Sequence, residues 1–186
     1  MKMDVTIDLT QTKLETDRLT LRAWQEADLD DFYAYASVPG VGEMAGWKHH
    51  ESMDVSRCVL QSFLAGKDQF ALLYKENGRV IGSLGLNKSW ANDDPEFSDL
   101  KLKDIGYVLS KEYWGRGLMA EAVKAALVFC FDALGLDAVS SGHAPVNVQS
   151  KRVLEKCGFA YVKTSEYYHE QFDLLTYSMR YILFRE

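Results

Sequence analysis

The chain has 186 residues, 47% of them hydrophobic and 26% charged, a composition that excludes a disordered chain and supplies one buried core. Its formal charge of -6 argues against a nucleic-acid-binding surface, which needs clustered Lys and Arg, and is compatible with a cationic partner or with solubility alone. Residues 1–10 lack the long apolar region of a signal peptide, no stretch approaches the ~20 apolar residues of a membrane span, and Cys58, Cys130 and Cys157 form no CxxC pair, so the expectation is a cytoplasmic protein with buried reduced thiols, no disulfide and no metal site.

In chain order, Leu19, Leu21 and Trp24 alternate with Thr20 and Arg22 as a first strand. Residues 26–36 carry Leu29, Phe32, Tyr33 and Ala36 at helical spacing, and Val38-Pro39-Gly40 ends that helix. A second helix is expected over 52–65, on Val55, Val59, Leu60 and Phe63, with Gly66 as its C-cap. The apolar runs 70–74 and 80–86 are joined by Asn77-Gly78, which suits a tight hairpin turn with φ > 0 at both residues. A polar loop over 87–103 carries Asp93, Asp94 and Glu96. Then come a short strand at 105–109, the sequence Trp114-Gly115-Arg116-Gly117 and a long helix to about Leu134, stopped by Gly135. Residues 138–141 read as a strand, 148–156 as a helix ended by Cys157-Gly158, and 159–162 and 174–183 as a last strand pair. The order gives one α/β domain, a mixed sheet with helices on both faces.

The strand, glycine turn and helix over 105–122 carry most of the information. A helix N-terminus presents unpaired N–H groups and partial positive charge, and glycines before it let backbone approach an anion closely. No Gly-Lys-Ser/Thr follows, so this is not a Walker loop. The third glycine of a dinucleotide fingerprint is missing.

The run from Ile105 to Ala122 resembles the coenzyme A pyrophosphate loop of the GNAT acetyltransferases, Q/R-x-x-G-x-G/A. Trp114 stands at the Q/R position, Gly117 at the central glycine and Met119 at the last small position. The departures agree with the ribosomal-protein N-terminal acetyltransferase-like branch, where Trp-Gly-Arg/Lys-Gly-Leu/Tyr-Met/Ala precedes Glu-Ala. The segment Glu15-Thr16-Asp17-Arg18-Leu19-Thr20-Leu21-Arg22 resembles that branch's N-terminal strand, and the segment from Asn147 to Phe159 its second CoA-facing element. The resemblance spans residues 12–185 as a single domain.

The resemblance implies a GNAT-type fold in which two adjacent parallel strands, here 105–109 and 138–141, splay to admit the pantetheine arm of acetyl-CoA, the co-substrate. It places the main chain of Val108 and Leu109 against the pantetheine amides. Gly115, Arg116, Gly117, Leu118 and Met119 would hold the pyrophosphate. Asn147 would lie near the thioester with Ser150 beside it, unless Asn147 serves as the N-cap of the following helix. The product is an N-acetylated amine, made by a monomer or homodimer.

Attack by an amine on a thioester requires the ammonium to lose a proton, and a general acid can give one to the leaving thiolate. At pH 7 deprotonation costs a lysine-type amine about 4–5 kcal/mol and a peptide α-amine about 1–1.5 kcal/mol. Many relatives place a tyrosine acid where this chain has Leu154, which leaves Ser141 or water for that task. Asp104 is the first choice of base and His143 the second. His49 and His50 fall in the region that lines the acceptor cleft in relatives. The acceptor is expected to be a peptide or protein N-terminus, with a small amine (aminoglycoside, polyamine or amino-acid derivative) as the alternative and a CoA-binding module without turnover as a third reading. The acidic loop 93–96 is expected to attract a cationic acceptor.

Overall fold

The computed structural model describes residues 5–185; the first four residues of the N-terminal alternation lie outside it. Strands β1 (Lys13–Glu15) and β2 (Leu19–Ala23) lead to helices α1 (Leu29–Ala36), α2 (Val41–Ala45) and α3 (Met53–Gly66). Then follow β3 (Gln69–Tyr74), β4 (Arg79–Asn87), β5 (Leu102–Leu109), α4 (Leu118–Val128), β6 (Ala138–His143), α5 (Val148–Lys156), β7 (Ala160–His169) and β8 (Leu174–Phe184). They form one sheet in the order β1-β2-β3-β4-β5-β6-β8-β7. Its pairings are antiparallel except β5 with β6. No helix among the described residues is long and apolar enough to cross a membrane.

Strand alternation sorts the core onto two faces. Phe70 and Leu72 of β3 point to one face, where Leu118, Val123, Ala126 and Cys130 of α4 and its continuation cover them. Ala71 points to the other, under Phe32, Tyr35 and Leu60 of α1 and α3. A smaller cluster of Ala91, Phe97, Leu102, Ala138 and Ile182 seals the foot of β5 and β6.

Several elements differ from expectation for local reasons. The left-handed residue closing α3 is Lys67 (φ 59°), whose N–H reaches Phe63 O, one residue later than the expected glycine. A Cβ on Gly66 would lie 3.2 Å from Asp68 Oδ1, so that glycine supplies room. The β3–β4 connection is longer than a two-residue turn: Gly78 N–H donates to Tyr74 O, and only Gly78 has positive φ. The helix expected to reach Leu134 is α-helical to Val128, then widens into a π-turn at Phe129–Ala133. Cys130 and Cys157 are buried, but Cys58 is exposed on α3.

A tether joins the chain's start to its middle. The Glu121 carboxylate, in the first turn of α4, accepts hydrogen bonds from Thr16 Oγ1 (2.6 Å), Arg18 N (2.9 Å) and Arg18 Nε (2.7 Å). Arg18 Nη1 donates to Arg116 O at 2.9 Å. The turn before β2 is thereby bolted to the glycine loop. Burial alone would raise the Glu121 carboxyl, but the bonds from Thr16 and Arg18 outweigh it and hold the group below its usual 4.5. A carboxylate with depressed pKa stabilises the fold above its unfolded pKa and loses that contribution as pH falls through the folded value.

Glu121→Ala is therefore expected to lower stability at pH 7 by about 1–2 kcal/mol, toward the low end for charged hydrogen bonds because the Arg18 side chain is 44% exposed. The difference from wild type should shrink below pH 4. Urea midpoints at the two pH values check this; equal midpoints at pH 7 would show that the tether carries no stability.

Candidate active site

β5 and β6 pair for only three residues, Leu102↔Ala138, Lys103↔Val139 and Asp104↔Ser140. β5 then continues alongside β4 to Leu109, while β6 follows β8 to His143. Ser141 Oγ sits in the fork and donates to Ile105 O at 2.7 Å. Beyond it, the edge of β5 that would face β6 borders a cleft of about 970 Å³ open to solvent.

That cleft is lined by Tyr107, Val108 and Leu109 of β5, the loop at 113–115, Gly117 and the first turn of α4. Asn147, Ser150 and Val153 of α5 form the opposite wall, and Val41, Met44 and Ala45 of α2 close one end. Gly115 and Gly117 both have φ 77°, a conformation open to glycine and strained for other residues. Gly117 is the N-cap of α4 and offers no capping side chain, so the N–H groups of Leu118, Met119 and Ala120 keep the unmet hydrogen-bonding capacity of a helix start. This donor set, with the positive end of the helix dipole, fits the pyrophosphate of coenzyme A. Arg152 and Lys156 also line the cleft. Sequence reading missed them, although their spacing of four on α5 places them on one face.

The expected cofactor residues divide by placement. Val108, Leu109, Gly115, Gly117, Leu118, Met119, Asn147 and Ser150 line the cleft. The Leu109 carbonyl already accepts the Trp114 indole N–H at 2.7 Å, so Trp114 braces β5 from the loop. Arg116 does not line the cleft: its guanidinium lies 5.1 Å over the Tyr113 ring and its carbonyl receives Arg18. Asn147 is the N-cap of α5, its Oδ1 accepting from Ser150 N, while its Nδ2 donates to Met44 O at 2.8 Å and links α5 to α2. Tyr107 was not anticipated. Its hydroxyl lies 2.8 Å from Ser150 Oγ, and burial pushes its pKa upward against that hydrogen bond.

A second cleft opens across the sheet, floored by Gln69, Ser83, Asn87, Gly106 and Val108. Phe32 and Phe63 roof it, residues 47–51 form a wall, and Gln171 at the tip of the β7–β8 hairpin touches its rim. Gln171 Oε1 accepts the Lys48 N–H at 2.9 Å. His50 Nδ1 is 2.7 Å from Ser56 Oγ, and burial, with His49 nearby, pushes the imidazole below its usual range. His49 pairs with Glu43 at 2.7 Å. The two clefts share Ala45, Tyr107 and Val108.

The expected acid–base groups lie at the fork. Ser140 Oγ donates to Asp104 Oδ1 at 2.5 Å and is itself 2.7 Å from Ser89 Oγ. Burial pushes the Asp104 carboxyl up to about 6, against the Ser140 hydrogen bond and the charge of Arg180. Asp104 stands opposite Asn87 in the sheet. Ser141 is committed to Ile105 O. His143 lies on β6, with Nδ1 2.7 Å from Ala144 O and Nε2 3.3 Å from Tyr181 Oη. Asp104, Ser141 and His143 line neither cleft. Leu154 is fully buried in the core. Two of the three acidic groups in the loop are paired, Asp93 with Lys88 and Asp94 with Lys163, while Glu96 is exposed.

The chain matches the family described as acetyltransferase (GNAT) domain over residues 18–160. It is 30% identical over 151 residues to a Bacillus licheniformis protein described as "Uncharacterized N-acetyltransferase p20", covering 78% of this chain and 81% of that one. A Bacillus anthracis GNAT acetyltransferase superposes with a TM-score of 0.77 at 20% identity, covering 93% of this chain and 98% of that one. A Vibrio cholerae structure described as a putative ribosomal-protein-serine acetyltransferase gives 0.77 at 17% identity, covering 95% and 99%. With its forked parallel strands and glycine-capped helix, this chain belongs to the GNAT acetyltransferase family.

Proposed function

We propose that this N-acetyltransferase works in the cytoplasm and modifies the α-amine of a peptide or protein N-terminus, with acetyl-CoA as donor and Asp104 as the group that takes the amine's proton. The observation that carries the reading is that two clefts approach β5 from opposite faces and meet at Tyr107 and Val108. One has the anion-binding features of a CoA site, and the other is roomy, amide-floored and partly aromatic. Bound acetyl-CoA supplies an acetyl group activated as a thioester. Everything else falls to the chain: α4 and Gly117 hold the pyrophosphate, Asn147 and Ser150 shape the slot, and the second cleft admits the amine.

The acceptor cleft favours a peptide over a polycation. Its ionisable lining is Lys48, His49, His50 and Glu51, without the acidic excess that a polyamine or aminoglycoside requires. Asp104 shares a sheet face with Gly106 and Val108 by strand alternation, and a carboxyl near 6 is matched to a peptide amine near pKa 8. The transfer runs through one bridging water, because Asp104 stands behind the cleft floor.

Gly117→Asp puts an anion at the phosphate site. Acetyl-CoA affinity by calorimetry is expected to fall by at least ~100-fold, about 2.7 kcal/mol. Gly117→Ala, equally strained at positive φ, isolates the effect of charge. Equal affinity of the Asp variant and the wild type would move the phosphate site elsewhere.

Asp104→Asn should reduce kcat by about 10²–10⁴-fold, remove the limb of the pH–rate profile near 6 and leave acetyl-CoA affinity unchanged. The sign for stability is opposite. The folded pKa lies above the unfolded 3.8, so the ionised wild type is penalised above pH 6 and the neutral amide is not. The variant should therefore melt higher than wild type at pH 7.5. A slower enzyme with an unchanged pH profile and a lower melting temperature would remove Asp104 from the proton path.

A further inference from the structure

The floor of the acceptor cleft carries a chain of polar side chains whose orientation is fixed by chemistry. Gln69 Nε2 donates to Asp68 Oδ1 at 3.2 Å and to Asn87 Oδ1 at 3.0 Å. An ionised carboxylate can only accept, so Asp68 dictates which end of the Gln69 amide faces it. Gln69 must then offer N–H to Asn87, and Asn87 must receive it on oxygen. The Asn87 NH₂ group is left pointing the other way, 3.1 Å from where a Cβ on Gly106 would stand.

Two glycines make room for this arrangement. A Cβ on Gly85 would fall 2.2–2.6 Å from the Gln69 amide, and any side chain on Gly106 would crowd Asn87. Asn87 and Gly106 both line the acceptor cleft, beside Tyr107 and Val108 where it meets the cofactor cleft. The fold thus holds an exposed pair of N–H donors next to the place of transfer.

We propose that Asn87 is an acceptor-recognition residue, aimed by Asp68 through Gln69, whose NH₂ group binds the carbonyl oxygen that follows the amine in a peptide-type acceptor. In such an acceptor that oxygen lies roughly 3 Å from the amine nitrogen, by covalent geometry. A donor beside the transfer point therefore reads it directly. A simple alkylamine has no such oxygen and leaves the Asn87 donors to water. Sites built to hydrogen-bond a substrate discriminate against analogues that cannot return the bond. The proposal rests on the reading of this cleft as the amine site and deepens it to a substrate class, amines bearing an adjacent amide carbonyl.

The test is thiol release at saturating acetyl-CoA with a short peptide, an amino-acid amide and a size-matched amine lacking the carbonyl, rates being expressed per unprotonated amine. Wild type is expected to prefer the carbonyl-bearing acceptors by about 10- to 100-fold in kcat/KM. Asn87→Ala should collapse that preference by slowing the carbonyl-bearing acceptors far more than the simple amine, with acetyl-CoA affinity unchanged. Asn87→Asp, which presents only acceptors, should penalise carbonyl-bearing amines more than Asn87→Ala does. Asp68→Asn, which lets the Gln69 amide turn over, should lose part of the preference. Wild-type turnover of all amines without discrimination overturns this inference alone, as does an Asn87→Ala variant that slows every amine equally. Turnover of no amine at all overturns the acceptor reading beneath it.

Discussion

β5 and β6 are parallel neighbours for three residues and then part, and most of what the molecule can do depends on that parting. A continuous ladder would satisfy the backbone of residues 105–109 within the sheet and leave nothing for a ligand. Here β5 stays with β4 while β6 turns away with β8, and Ser141 fills the one carbonyl at the fork, Ile105 O. A strand edge inside a protein ordinarily demands a partner. This one faces a cleft, and the amides of a pantetheine arm have the hydrogen-bonding character of the missing strand. The clefts on the two faces of β5 share Tyr107 and Val108.

Around the fork the electrostatics are arranged in two opposite ways. At the phosphate end, Glu121 is held ionised by Thr16 and Arg18, and Arg18 reaches on to the Arg116 carbonyl. This is a stabilising network, and its product is a fixed loop. At the fork itself Asp104 is half-buried beside Ser140 and carries a raised pKa. Its ionised form costs folding energy near neutral pH. The fold therefore gains stability at the first turn of α4 and gives some up at Asp104, where its parallel strands separate.

The parts legible in the sequence were those set by neighbours along the chain. The glycine loop, the N-cap at Asn147 and the bounds of α5 follow from local residue chemistry. So does the mixed sheet between two helical layers, from the alternating periods. The lower accuracy elsewhere has identifiable causes. α2 is only five residues long, too short for a period to show. β7 extends to His169 through Lys163, Ser165 and Glu166, polar residues that pair with β8 on an exposed hairpin. The left-handed Lys67 and the π-turn after Val128 are settled by contacts beyond the local sequence. In the site, Trp114 and Arg18 were visible as motif letters, but their jobs, bracing Leu109 O and clamping Glu121, are long-range facts. Asn87, Gln69 and Tyr107 gave no motif at all, because each acquires its role from the strand lying next to it.

The contact between Gln171 and Lys48 spans 123 positions of sequence and belongs to the second cleft alone. The phosphate-binding loop, α4 and α5 contribute nothing to that wall. Changes at the hairpin tip or in residues 47–51 can accordingly alter what enters the second cleft while the cofactor half stays intact.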